Sequence, residues 1–155
     1  MGYFDEVGGI NRVLYADIEL GHKKLRIFNC HMELSAGPRL RLEQFDLILK
    51  KFVEGSKNIV CGDFNIYANP KYNWMIWWMM GFSPKEIFTN ERDEFEKVFR
   101  SNNLDNPLKN KQTFAQRNLQ LDHIIVPKKL KTNSTVIDNL YGSDHYPILV
   151  EFKFG

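Results

Sequence analysis

KLRIFNCHMELSAGPRLRLEQFDLILKKFVEGSKNIVCGDFN, residues Lys24–Asn65, is the stretch whose reading decides the fold. Lys24–Cys30 reads as a strand, the returning arm of a hairpin. Pro38 then opens a helix, because Leu42, Phe45, Ile48, Leu49 and Phe52 recur at helical spacing, and Gly55 ends it. Asn58–Cys61 is a short strand bounded by Gly62. Strand, helix and strand in succession predict a layered α/β fold.

Working outward, Val13–Leu20 alternates, with Leu14, Ala16, Ile18 and Leu20 on one face and Asp17 and Glu19 on the other. Gly21-His22 supplies the hairpin turn. Downstream of Pro70 a helix is predicted through Met80, stopping at Gly81. Its Trp74–Met80 stretch is apolar all round, as expected of a helix wedged between layers. The alternative is an adaptable substrate or partner surface. Ser83-Pro84-Lys85-Glu86 has the order of an N-cap, a proline at N1 and a capping-box glutamate. Phe95, Val98 and Phe99 mark another helical face. Strands are predicted at Leu119–Val126, Thr135–Ile137 and Ile148–Phe154.

Composition closes several doors. The 155 residues suit a single domain, and 43% hydrophobic with 26% charged residues is ordinary for a globular chain. A net charge of +2 provides no strong field to recruit nucleic acid or membrane. Two cysteines, Cys30 and Cys61, build neither a disulfide framework nor a CxxC metal site. The longest apolar run is far short of the roughly 20 residues that span a bilayer. Met1–Ile10 lacks the pattern of a signal peptide. The default expectation is a soluble domain of a reducing compartment, the cytoplasm.

Polar residues gather where open α/β sheets place their sites, at strand ends. His31 follows the strand ending at Cys30, and Asp63 and Asn65 follow the strand ending at Cys61. Asp122 and His123 lie in the 119–126 strand, and Asp144 and His145 in the turn before the last strand. A carboxylate at Asp63 suits a divalent ion or an activated water, and the Asn65 amide can donate to an anionic oxygen. Neighbouring Asp144 and His145 point apart and cannot partner each other. Asp122 is the candidate carboxylate behind His145, holding its tautomer and charge. Other chemistries fail on spacing. His31-Met32-Glu33 has no Pro-Cys-x-x-Cys after it, Ser143 has no nucleophile-elbow glycines, and Gly8-Gly9 lacks a phosphate-loop pattern. The lysines at 128, 129 and 131, with Lys109, Lys111 and Arg117 upstream, read as a solvated face that a nucleic-acid enzyme could use on phosphates.

Cys61-Gly62-Asp63-Phe64-Asn65, Leu121-Asp122-His123-Ile124 and Ser143-Asp144-His145-Tyr146-Pro147, in that order, resemble the endonuclease/exonuclease/phosphatase superfamily. Asn29-Cys30-His31-Met32 is similar to its Asn-Thr-His-Leu strand end, and Arg41 and Gln44 to its Arg-x-x-Gln helix. The resemblance covers Arg12 to Phe152. It implies a four-layered α/β sandwich and Mg²⁺-dependent phosphoester hydrolysis, with Mn²⁺ as the alternative ion. Carried over residue by residue, it makes Asp63 the carboxylate that orients or deprotonates water and Asn65 the amide that binds phosphate. His31 becomes the imidazole near the transition state. Asp144, with Asp63, becomes a metal ligand, and His145 with Asp122 the catalytic histidine couple.

Family members also carry, well upstream of the His31 motif, a strand with an Asn and a strand with a metal-binding Glu. Only 30 residues precede His31 here, and neither motif is among them; Glu6 is not promoted to that role. The chain therefore resembles the C-terminal part of such an enzyme, a single domain over residues 1–155 with the N-terminal strands absent. The expectation is a phosphoesterase acting on a phosphodiester, with nucleic acid among its candidate substrates, feeble or silent as the isolated chain. Unpaired sheet edges would invite self-association or a complementing N-terminal fragment. The alternative is a catalytically inactive remnant that serves binding or assembly.

Overall fold

In the computed structural model the described residues are 2–5, 12–66, 78–79, 81–116 and 118–153. The elements follow in the order β1 (Gly2–Asp5), β2 (Arg12–Leu20), β3 (Lys23–His31), α1 (Pro38–Leu49), β4 (Lys57–Asp63), α2 (Pro84–Ile87), α3 (Glu91–Ser101), β5 (Leu104–Asp105), β6 (Asp122–Pro127), β7 (Thr132–Val136) and β8 (Ile148–Phe152). One sheet has the order β1-β2-β3-β4-β6-β5; β7 and β8 form a separate antiparallel pair. β3 and β4 are parallel, joined by α1 as their crossover, and the other neighbours in the large sheet pair antiparallel.

Each face of the large sheet carries its own core. On one face Val13, Phe28, Cys30, Val60 and Ile125 meet Phe45 and Ile48 of α1 and Phe95 and Phe99 of α3. Phe45 is fully buried, with the rings of Phe64, Phe95 and Phe99 at 5.8, 5.7 and 5.3 Å between centroids. On the other face Leu25, Ile59 and Val126 are covered by Val150 and Phe152 of β8 and by Leu130.

Several expectations need correction, among them the Thr135–Ile137 strand, which runs over Thr132–Val136. The half-buried face of β2 is not its principal anchor: Leu14 and Leu20 are exposed, whereas Val13 is buried and Tyr15 packs beside it under the helices. The smaller core reaches Ile18 on that face but leaves the two leucines at its margins uncovered. α1 ends at Leu49 rather than Gly55. The chain there tightens into i→i−3 bonds, Lys51 N–H to Ile48 O and Phe52 N–H to Leu49 O, and the Asn58 amide accepts from Val53 N–H at 3.0 Å. Phe52 still packs on the core, stacked on Phe28 at 5.6 Å. Strand β6 begins at Asp122, not at residue 119.

The capping box forms as expected: the Ser83 hydroxyl accepts from Glu86 N–H and the Glu86 carboxylate from Ser83 N–H. The apolar stretch 74–80 lies outside the described residues except for Trp78 and Met79, which are exposed rather than wedged between layers. Among the described residues no helix is long and apolar enough to cross a membrane.

Gly62 sits where β4 presses closest on β3 among the described glycines. Its φ is 129°, and a Cβ there would stand 1.9 Å from the Cys30 carbonyl oxygen on β3. Gly62→Ala must therefore push β3 and β4 apart. It is expected to cost about 3 kcal/mol or more of unfolding free energy in a urea titration, a loss comparable to Phe45→Ala. An unchanged urea midpoint would refute this close approach.

Candidate active site

Strand register assembles the first row of the site. The parallel pairing sets His31, the last residue of β3, beside Asp63, the last residue of β4. The antiparallel pairing sets Asp63 beside Asp122, the first residue of β6. Three neighbouring strands, spaced roughly 4.8 Å apart, thus present an imidazole and two carboxylates in line. His31 Nε2 lies 3.7 Å from Asp63 Oδ2, with the His31 side chain largely in solvent.

Asn65 and His145 close over this row. Asn65 adopts a left-handed φ of 50°, which its short amide tolerates. Its backbone N–H donates to Asp63 Oδ1 at 2.8 Å, and its side-chain Nδ2 donates to Met32 O at 2.8 Å. Thr113, fully buried, ties the remaining pieces together. Its hydroxyl accepts from Leu121 and Asp122 N–H at 2.9 and 3.0 Å, and its carbonyl accepts from Tyr146 N–H at 2.8 Å. The 143–146 turn is thereby pinned to the start of β6, and His145 Nδ1 comes 2.7 Å from Asp122 Oδ2. The Phe114 ring meets the His145 ring edge-on at 5.1 Å.

His31, Asp63, Asn65, Asp122, Asp144 and His145 lie on this rim, whereas His123 is buried behind it. Asp144 has its side chain in solvent and its carbonyl accepting from Ala115 N–H, and with Asn65 and His145 it lines a pocket of about 400 Å³. The far wall of that pocket is apolar: Leu34, Phe114 and Leu121. Among the described residues, Asp63, Asp122 and His145 form the one group of three whose ligand atoms all lie within 4.8 Å of one another. Two carboxylates and an imidazole fit a divalent cation, and Asp144 stands outside that group. A larger cleft of about 870 Å³ lies at the opposite end of β4, among Lys57, Lys129, Lys131 and Lys153, and holds none of these residues. Of the other cations, Lys109 is paired with Glu96 at 2.8 Å, and Arg117 lies outside the described residues. Sequence reading missed Thr113 and Phe114; neither shows a periodicity or a spacing to flag it.

Similarity to known proteins bears on the family and the fold. The model of a family described as Endonuclease-reverse transcriptase matches residues 25–149. The chain belongs to that family. Among solved structures, an endonuclease/exonuclease/phosphatase from Beutenbergia cavernae superposes with a TM-score of 0.68 at 13% identity, over 94% of this chain and 40% of that one. A mannosyl-6-phosphatase from Bacteroides thetaiotaomicron gives 0.64 at 17% identity, over 93% and 57%. The human nocturnin catalytic domain, solved with bound sulfate, gives 0.60 at 21%, over 94% and 53%. The fold is therefore that of the endonuclease/exonuclease/phosphatase group, and the chain spans about half the length of these structures. No curated protein sequence matches it.

In this family member the two buried or half-buried histidines have opposite electrostatics. Burial disfavours charge on His145, but the hydrogen bond and charge of Asp122, helped by Asp63 and Asp144, outweigh it and raise its pKa above the ordinary histidine value. Burial raises the Asp63 carboxyl; the Asn65 N–H opposes that rise and the Asp122 charge adds to it. His123 is fully buried against Phe64 at 4.9 Å, and burial, helped by the nearby Arg92 charge, drives its pKa down to about 3. Its Nδ1 faces the amide nitrogens of Asn106 and Gln120 at 3.2 and 3.4 Å, so the neutral ring accepts there.

The signs follow by linkage. Stability contributed by His145 is complete below its unfolded pKa of about 6.5 and is lost as pH rises through its raised folded value. The His123 contribution is complete above about 6.5 and is lost as pH falls toward about 3, at roughly 1.4 kcal/mol per pH unit. Urea unfolding between pH 6.5 and 3.5 should show that acid slope, and His123→Gln should flatten it. Asp122→Asn should lower the His145 titration midpoint in an imidazole NMR titration without added divalent ion. An unmoved midpoint would contradict the pairing.

Proposed function

We propose that the chain is the C-terminal, residue-bearing part of a divalent-metal-dependent phosphoesterase that hydrolyses phosphodiesters, with nucleic acid as substrate. The observation that carries this reading is the clustering of Asp63, Asp122 and His145 within 4.8 Å of one another, with His31 beside Asp63 and with Asn65 and His145 lining one pocket. Membership of a family described as Endonuclease-reverse transcriptase favours nucleic acid over a sugar phosphate.

Hydrolysis needs a positioned water, a place for its proton, and donors for the charge that builds on the phosphate. Asp63, its basicity raised by burial, takes the proton of the attacking water as the new P–O bond forms and the ester P–O bond breaks. Asn65 commits one amide hydrogen to Met32 O and offers the other to a phosphate oxygen. His145, fixed through Nδ1 by Asp122, keeps Nε2 for the phosphate or the departing oxygen. Its raised pKa favours the protonated, donating form. His31, solvent-exposed at the rim, adds positive charge when protonated. Asp63 and Asp122 are the grouped carboxylates that would hold Mg²⁺ or Mn²⁺, with Asp144 at the same rim as a further oxygen donor; the ion would withdraw charge from the phosphate.

The half-length match to related structures favours feeble turnover in the isolated chain. An oligonucleotide and a nitrophenyl phosphodiester, each with Mg²⁺ or Mn²⁺, test the reading. Asp63→Asn and His145→Ala are expected to lower whatever rate is seen by roughly 10²- to 10⁴-fold, and Asn65→Ala by roughly 10²- to 10³-fold. Rates indifferent to all three would overturn it. A folded chain that binds Mn²⁺ calorimetrically but never turns over would favour the silent binding module.

A further inference from the structure

We infer that the buried Arg41–Glu91 ion pair is a positioning device for the Asn65 amide, acting through the loop between His31 and Pro38; this rests on the role given to Asn65 above. Arg41 on α1 and Glu91 at the start of α3 are 1% and 0% exposed. Their pairing is a two-pronged fork, Nε to Oε1 at 2.6 Å and Nη2 to Oε2 at 2.9 Å. The third nitrogen, Nη1, turns away from the carboxylate and collects the carbonyls of Glu33 at 3.0 Å, Leu34 at 3.3 Å and Ala36.

A buried ion pair is a poor device for stability alone, since matched apolar residues serve as well or better. What no apolar residue could do is satisfy three carbonyls of an irregular loop that has no ladder of its own. That loop is the one that holds the site. Met32 N–H donates to Asp63 O at 2.9 Å, and Met32 O receives the Asn65 amide at 2.8 Å. Leu34, whose carbonyl the guanidinium grips, lines the same pocket as Asn65 and His145. The orientation of the amide is thus set from behind, by a charge that never meets substrate. Glu91 aims the fork by fixing the guanidinium plane. Arg41 and Glu91 are positioning residues.

The test uses the full chain and two variants. Arg41→Met with Glu91→Met removes the fork without leaving a buried charge unpaired. Arg41→Lys keeps a cation facing Glu91 but loses the planar fork. Three readouts separate positioning from packing: hydrogen exchange of the Asn65 side-chain amide, chemical-shift titration of that amide with inorganic phosphate, and the split between kcat and KM on the phosphodiester. In a double variant that keeps the native circular dichroism, the amide should exchange about tenfold faster or more, and phosphate should shift it less. kcat should fall roughly 10- to 100-fold with KM changed little, and Arg41→Lys should lie between. Native Asn65 exchange and shifts in a folded variant would overturn the inference, even if its Tm drops. If the double variant does not fold, the Asn65 amide in Arg41→Lys decides by the same criteria. If the unaltered chain hydrolyses nothing, the function proposed above fails, while the two amide readouts still decide the positioning role.

Discussion

The parallel pairing of β3 with β4 is the constraint on which the rest depends. It is the one register in the sheet that brings two chain-forward strand ends, His31 and Asp63, side by side. Only a crossover can join such strands, so α1 is required between them, and α1 in turn carries the aromatic and aliphatic side chains that fill one core. β6 then enters antiparallel, so that its first residue, not its last, meets Asp63. A slip of one residue in either pairing would scatter the imidazole and the carboxylates. The glycine at position 62, pressed against the Cys30 carbonyl, admits no side chain at that approach and so guards the register.

The charged groups are arranged so that neighbouring histidines act differently. His123 and His145 both lie close to the 63–65 turn, the first through Phe64 and the second through Asp122 and Asp63. One faces amides and a nearby guanidinium in a dry interior and stays neutral. The other is hydrogen-bonded to one carboxylate, with two more acids near it, and its pKa is raised. The difference lies in what each ring touches, because the residue type is the same.

Much of the architecture was legible because period and punctuation agreed. Pro38 with its apolar repeat, the Ser83–Glu86 box and the alternation of β8 are local signals, and each survives packing intact. The end of α1 was not legible, since the Asn58 amide that captures Val53 comes from the following strand. The buried face of β2 was not either: Leu14 and Val13 are equally apolar, and only the layer lying over them decides which is covered. In the site, short motifs marked His31, Asp63, Asn65, Asp122 and His145. The residues behind them stayed invisible. Glu91 meets Arg41 across 50 positions, and Thr113 reaches Asp122 through a hydroxyl, with nothing in the spacing of either to announce it.

The chain between Ile66 and Ser83 is anchored firmly at both margins. Ile66 sinks into the larger core at 1% exposure, and Ser83 and Glu86 lock one another, with the Glu86 carboxylate packed close against Gly37 at the head of α1. Ile66 and the Ser83–Glu86 box are thereby tied to the same core and the same helix as the strand ends that hold the acids and imidazoles. A side chain at position 37 would push on the Glu86 carboxylate, so the head of α1 and that box answer to each other.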